Sequence, residues 1–208
     1  VLITAGPTQE PIDPVRYITN HSSGKMGYAI ARAAATMGAE VYLVSGPVKL
    51  DTPQGVNRIS VISAGEMAEA TFERAGEMDI VIMAAAESDY SPKKVAVEKI
   101  KKSGEEMVLE LSKTTDILGT WGKKKPEGQI LVGFALETEK EKEHALGKLN
   151  RKNLDMIVMN SLKDKGAGFG HDTNKITIFH KDGSDKAFPL KSKDVLAKDI
   201  LLFIVSIM

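Results

Sequence analysis

Between Tyr17 and Gly38 the chain reads YITNHSSGKMGYAIARAAATMG, so Asn20, His21, Ser22, Ser23, Gly24 and Lys25 stand directly ahead of a run with good helix composition. Met26, Ile30, Ala33 and Met37 recur on one helical face, and Gly38 follows as a C-cap. The first N–H groups of a helix lack internal partners and its dipole makes that end electropositive, so such a start can bind an anion without any lysine. In this reading Ser supplies a cap and Gly24 lets a ligand approach the backbone. The plain alternative is an ordinary capped helix with a packing glycine. Two common phosphate motifs fail in spacing. A Walker A loop needs Gly five positions before Gly-Lys and Ser or Thr after it, whereas Gly24-Lys25 has Thr19 before and Met26 after. A dinucleotide fingerprint needs its glycines directly after the first strand, but PTQEPIDPVRYITNH intervenes between VLITAG and the serines.

Other residues carry chemistry by type. Lys99, Lys101 and Lys102 sit in a polar loop and could offset a cluster of negative charges; seen alone, such a run reads as solvated surface. Asp89 follows an apolar run by a few residues, where a carboxylate can hold a divalent cation or merely form a turn. Phe134, in GFALET, is expected at a strand end, where its aromatic face could pack against a planar ligand or in the core. Lys148 and Lys152 are four apart and share one helical face. Arg16 can grip a phosphate through two N–H groups. Asn20 offers a donor and an acceptor without charge. The four His (His21, His144, His171, His180) show no metal-ligand spacing, and there is no Cys, which removes thiolate nucleophiles and disulfides and fits a reducing cytoplasmic location.

These residues need a scaffold. VLITAG, VYLVSG, VNRISVI, DIVIMAAA, QILVGFAL and LDMIVMN read as strands; MVLEL is a further candidate. KMGYAIARAAATM, AGEMAEATFERA, TDILGTWGK (capped by Thr115 or Asp116), KEKEHALGKLNRK and KDVLAKDILLFIVSIM read as helices, and KITIFH and KAFPL flank KDGSD as a hairpin. The alternation predicts a doubly wound, Rossmann-like α/β fold with a mostly parallel sheet and a small antiparallel hairpin region near the C-terminus. Ligands of such sheets bind at the carboxyl ends of the strands, so the loops after VLITAG, MAAA, GFAL and IVMN form the expected active face. At 208 residues and 42% hydrophobic content one domain, 1–208, is expected. The chain opens without Met inside an apolar run, which predicts a domain excised from a longer polypeptide. Lys plus Arg and Asp plus Glu are equal at 28 each, so no global field attracts nucleic acid or a membrane surface. Apolar runs such as Ile80 to Ala86 and Ile200 to Val205 are far short of the roughly 20 residues that span a bilayer.

ITAGPTQEPIDPVRYITNHSSGKMG, AAAESDY, EKIKK, GFALET, RKNLD and GFGHDTN, in that order along the whole chain, resemble the bacterial phosphopantothenoylcysteine synthetases. These usually form the carboxyl-terminal half of a bifunctional protein whose other half is a flavin-dependent decarboxylase. The resemblance implies a step of coenzyme A biosynthesis: 4'-phosphopantothenate is activated by CTP with Mg2+ to an acyl-cytidylate, and the amino group of cysteine displaces CMP. It also implies a homodimer, with FMN confined to the absent decarboxylase half. Matching residue by residue, it implies that Asn20 and Lys99 are catalytic, and that Gly6, Ser22, Ser23, Gly24, Asp89, Lys99, Phe134, Lys148 and Lys152 bind nucleotide. It further implies that Arg16, Asn20, Ala85 and Ala86 bind substrate, Arg16 from an arm used across the dimer interface, and that Asp89 contacts the metal. Glu87 departs from the pattern, which carries a small apolar residue there.

Two other functions are open to the residues. A nicotinamide-dependent oxidoreductase would need a glycine fingerprint after the first strand and an acidic residue closing the second, where VYLVSGP has none. A non-catalytic nucleic-acid module would use Lys93 to Lys102, with Tyr90 alone for stacking and Glu105 and Glu106 following, a poor platform for single strands.

Overall fold

The computed structural model describes residues 1–208 except Ser103, Glu105, Thr138, Leu162, Asp164, Lys165, Ala167 and Phe169, and the backbone alone of Glu137. In chain order the elements are β1 (Leu2–Ala5), a hairpin of β2 (Gln9–Pro11) and β3 (Tyr17–Thr19), α1 (Lys25–Thr36), β4 (Val41–Ser45), β5 (Val56–Ser60), α2 (Ala64–Ala75) and β6 (Ile80–Met83). There follow a second hairpin of β7 (Tyr90–Pro92) and β8 (Leu111–Lys113), α3 (Ile117–Gly122), β9 (Ile130–Glu137), α4 (Glu141–Arg151), β10 (Met156–Ser161), β11 (Thr173–His180), β12 (Asp185–Ser192) and α5 (Lys193–Ser206).

Among the described residues the main sheet has eight strands in the order β12-β11-β10-β9-β6-β1-β4-β5. The six from β10 to β5 run parallel, and β11 and β12 add an antiparallel edge. The hairpin expected near the C-terminus is therefore part of the main sheet. Side chains alternate across a strand, and both sides of the central strands are apolar. Ile80 and Ile82 of β6 enter a core shared with α1 and α5, while Val81 and Met83 enter a second core shared with α2, α3 and α4. Such two-sided burial explains the continuous apolar run at DIVIM.

Connections from β1 lead to β4 on one side, and the chain then returns to place β6 on the other. The chain order therefore reverses between β1 and β6, and a crevice opens at their carboxyl ends. Past β6 the chain stays tied to the extension of β1. Ala84 N donates to Thr4 O (3.2 Å), Ala86 N to Gly6 O (2.9 Å) and Ser88 N to Thr8 Oγ1 (3.0 Å).

Three expectations are corrected. MVLEL is not a strand; only its Leu111 enters β8, which pairs with β7. The stretch between β1 and α1, expected as a connection, forms the β2–β3 hairpin. Ser22 and Ser23 do not cap α1. Gly24 holds the N-cap position with φ 75° and no side-chain cap bond, and Ser22 Oγ instead accepts from Gly24 N at 3.3 Å. By contrast α2, α3 and α5 are capped by Ser63, Asp116 and Ser192. Glycine suits the left-handed N-cap, and Gly27 has its own reason: a Cβ there would lie 2.6 Å from Ala5 Cβ, so α1 packs directly on β1.

Candidate active site

A cavity of about 610 Å3 occupies the crevice at the strand-order reversal. One wall is the start of α1, with Ser22, Ser23 and Gly24; another is Ala85, Ala86, Glu87 and Asp89 beyond β6. Thr115 and Asp116 at the start of α3, Phe134 on β9, Lys148 on α4 and Lys152 at its C-terminal cap close the far side. Because α1 lacks a side-chain cap, its first N–H groups are left for whatever fills the cavity.

The far side is cationic and ordered. Lys148 Nζ donates to Phe134 O at 2.7 Å, and Lys152 Nζ to Asp116 Oδ1 at 2.8 Å. Burial pushes the Asp116 carboxyl up, but the bonds from Lys152 and Gly119 N outweigh it and hold the group below the usual range. Glu87 behaves oppositely. Burial is the largest influence and the nearby Asp116 and Asp89 add to it; Lys148 and Lys152 only partly offset them, and its pKa rises to about 7.

Sequence-predicted residues fall into two groups. Ser22, Ser23, Gly24, Ala85, Ala86, Asp89, Phe134, Lys148 and Lys152 line the cavity. Gly6, Arg16, Asn20 and Lys99 lie outside that lining. Gly6 is fixed one layer behind, its carbonyl bonded to Ala86 N. Asn20 Nδ2 donates to Ala86 O (3.0 Å) and Glu87 O (2.8 Å), so it grips the wall from the outside. Arg16 donates through Nε to Asp13 Oδ2 (3.0 Å) and through one terminal nitrogen to Ile100 O (3.0 Å). Asp13 also accepts from Ile100 N (3.1 Å) and from Val15 N and Arg16 N, and the Arg16 guanidinium keeps its carboxyl far below the usual range. Lys99, exposed, is thereby carried on a loop moored to the Arg16 hairpin. Asn160 lines the cavity, whereas Asn153 ends α4 with φ 51° and donates to Gly122 O, a structural duty. Lys25, Lys193 and Asn174 also line the cavity and were not singled out from sequence. Lys25 adjoins the Gly24 signal, but Lys193 reads as an ordinary first-turn residue of a distant helix.

Over residues 1–208 the chain matches the model of the DNA/pantothenate metabolism flavoprotein C-terminal domain family. The chain belongs to this family. It is 54% identical over 202 residues to the coenzyme A biosynthesis bifunctional protein CoaBC of Bacillus subtilis, covering 97% of this chain and 50% of that protein. It is 55% identical over 208 residues to a protein of an unknown prokaryotic organism called cysteine/cysteine sulfinic acid decarboxylase, covering all of this chain and 58% of that one. The chain thus spans about half the length of the curated relatives it matches. The crystal structure of the C-terminal domain of a CoaBC protein superposes with a TM-score of 0.83 at 47% identity, covering 98% of this chain and 92% of that one.

Proposed function

We propose that this domain is a phosphopantothenate–cysteine ligase of coenzyme A biosynthesis that uses CTP. The observation that carries the reading is the meeting, in one cavity, of the uncapped start of α1 with Lys148, Lys152 and Phe134 in a chain so similar to a CoaBC C-terminal domain.

A carboxylate oxygen is a poor leaving group, so amide formation requires prior conversion of the carboxylate to an acyl phosphate, a mixed anhydride. In the first step the substrate carboxylate attacks the α-phosphorus of CTP, the bond to the β-phosphate breaks and pyrophosphate leaves. In the second the cysteine amine attacks the acyl carbon, the bond to the cytidylate oxygen breaks, CMP leaves and the nitrogen loses a proton. Both steps crowd negative charge, which helix N–H groups and lysines stabilise most strongly where water is excluded. Phe134 offers its ring to the cytosine, and Asn20, through Ala86 and Glu87, sets the wall against which the acyl-cytidylate lies. Catalysis by orientation and charge needs no side-chain nucleophile.

The described residues contain no cluster of three His, Asp or Glu side chains able to hold a metal alone. Mg2+ usually takes one or two carboxylates and completes its shell with phosphate and water, so Asp89 in the cavity fits an ion delivered by the nucleotide. That ion would neutralise phosphate charge. The reading also implies a homodimer. Val15, Tyr17, Tyr90, Val97, Val108 and Leu111, on and beside the two small hairpins, are exposed apolar side chains, and this face carries Arg16 and Lys99, which a partner's cavity would receive. A flavin-dependent decarboxylase domain, with its FMN, would complete the longer protein, and the cytoplasm is the compartment implied.

The test supplies CTP, Mg2+ and 4'-phosphopantothenate without cysteine. Pyrophosphate and an enzyme-bound cytidylate should appear. Pyrophosphate released equally without phosphopantothenate, or never, rejects the reading.

A further inference from the structure

Lys25 and Lys193 are the first residues of α1 and α5. A cation there faces the positive end of the helix dipole, the reverse of the stabilising arrangement. Lys193 is also buried, with 7% exposure. Its ammonium donates to Gly168 O (3.0 Å) and His171 O (2.6 Å), and among the described residues it pairs with no carboxylate. Burial, and then repulsion from Lys25, lower its pKa from the ordinary lysine value. Placement against a dipole, and burial that the Asp172 carboxylate offsets only in part, both destabilise the protein, which points away from a purely structural purpose.

The two lysines hold one stretch of chain from two sides. Lys25 Nζ donates to Gly170 O (2.9 Å) and Asp172 Oδ1 (2.6 Å), while Lys193 N donates to Asp172 O (2.9 Å). Both lysines line the cavity beside Ser22, Ser23, Gly24, Gly168 and Asn174. Against two ammonium groups and the uncapped start of α1 stands the Asp172 carboxylate, its side chain 88% exposed. This end of the cavity is therefore electropositive and walled by backbone that Lys193 fastens.

We infer that Lys193 is a positioning residue for a phosphoryl anion: it fastens Gly168, part of the cavity wall near the start of α1, together with the neighbouring His171 backbone, and an anion bound there tightens that fastening. The inference takes its ligand class from the ligase reading, but the arrangement would serve any phosphoryl group that reaches it.

Inorganic pyrophosphate is the probe. Its affinity is measured by calorimetry for the wild type, Lys193→Met and Lys193→Arg, and amide exchange is followed in the peptide spanning residues 166–174. Loss of a charge-assisted contact should weaken binding at least tenfold in Lys193→Met, and Arg should restore most of it. Pyrophosphate should slow exchange at Gly170, His171 and Asp172 in the wild type and not in Lys193→Met. A lysine that serves only the fold would lower the melting temperature of Lys193→Met and leave the folded protein's affinity within tenfold of wild type, and that result overturns the inference. If Lys193→Met does not fold, the wild-type exchange decides: unchanged protection with pyrophosphate overturns it equally. Pyrophosphate binding through Lys193 without CTP-dependent turnover would sink the ligase reading alone, whereas turnover in Lys193→Met with an unchanged KM for CTP would sink this inference alone.

Discussion

Lys152, at the C-terminal end of α4, places its Nζ 2.8 Å from Oδ1 of Asp116, the same carboxylate oxygen that accepts from Gly119 N to cap α3. One carboxylate thus fixes a helix start and orients a cavity lysine. The two duties separate by mutation. Asp116→Asn keeps a capping oxygen, whereas Asp116→Ala loses it and should cost about 1 kcal/mol more in chemical denaturation. Both substitutions remove a negative neighbour of Glu87, so a titration of Glu87 by NMR should move down in each. Equal stability of the two variants would show that Asp116 does not act as the cap.

Asn20 and Lys99 are expected to act at different steps. Lys99→Gln should abolish pyrophosphate release in the cysteine-free assay, because a triphosphate then lacks a neutralising ammonium. Asn20→Asp exchanges two N–H donors, now on Ala86 O and Glu87 O, for a carboxylate facing carbonyls. The cytidylate should still form, and its consumption by cysteine should slow at least tenfold, a loss on the scale of one hydrogen bond to a charged group. Single-turnover measurement of each half-reaction checks this, and the reverse pattern exchanges the two roles.

Much of the scaffold was legible because the central strands are apolar on both faces and the helices between them carry a single apolar face. The β2–β3 hairpin was not, since three-residue strands interrupted by Pro11 and Pro14 show no alternation. Cavity residues beyond a strand end, such as Ala85, Ala86 and Asp89 after β6, could be placed from topology alone, whereas Phe134, expected at a strand end, lies within β9. The position of Lys99 could not: it depends on Asp13 reaching Ile100, 87 residues away, a contact without a local signal. The uncapped α1 was missed for a related reason. Two serines before a helix ordinarily cap it, and only the positive φ of Gly24 directs them elsewhere.

Glu87 makes stability depend on pH. Its pKa in the folded protein is about 7 against an ordinary 4.5, so the folded state binds the proton more tightly than the unfolded chain. Stability should fall as pH rises from about 4.5 to about 7 and level off above that. Glu87→Gln should remove this slope and be more stable than wild type at pH 8, by about 1 to 2 kcal/mol because the cavity is open to water. Urea melts across this range check the sign, and an unchanged slope in Glu87→Gln assigns the dependence elsewhere.

Asp155 has the opposite linkage. Only 1% exposed, it accepts from Lys125 Nζ (2.5 Å), Lys181 Nζ (2.6 Å) and Leu131 N (2.7 Å). Burial pushes its carboxyl up, but the two lysines and the Leu131 N–H outweigh burial and hold the pKa below the usual range. Its contribution is therefore complete above the ordinary carboxylate pKa and is lost as pH falls through the lower folded value. Asp155→Asn leaves Lys125, itself mostly buried, without its counter-charge, and should destabilise the fold by about 3 kcal/mol at neutral pH. The variant should also lose part of the wild type's decline in stability below pH 4. Since Asp155 joins β9, the Lys125 turn and the β11–β12 hairpin rather than the cavity, pyrophosphate affinity of the folded variant should match wild type; a weakened affinity would show that this edge of the sheet helps to shape the site.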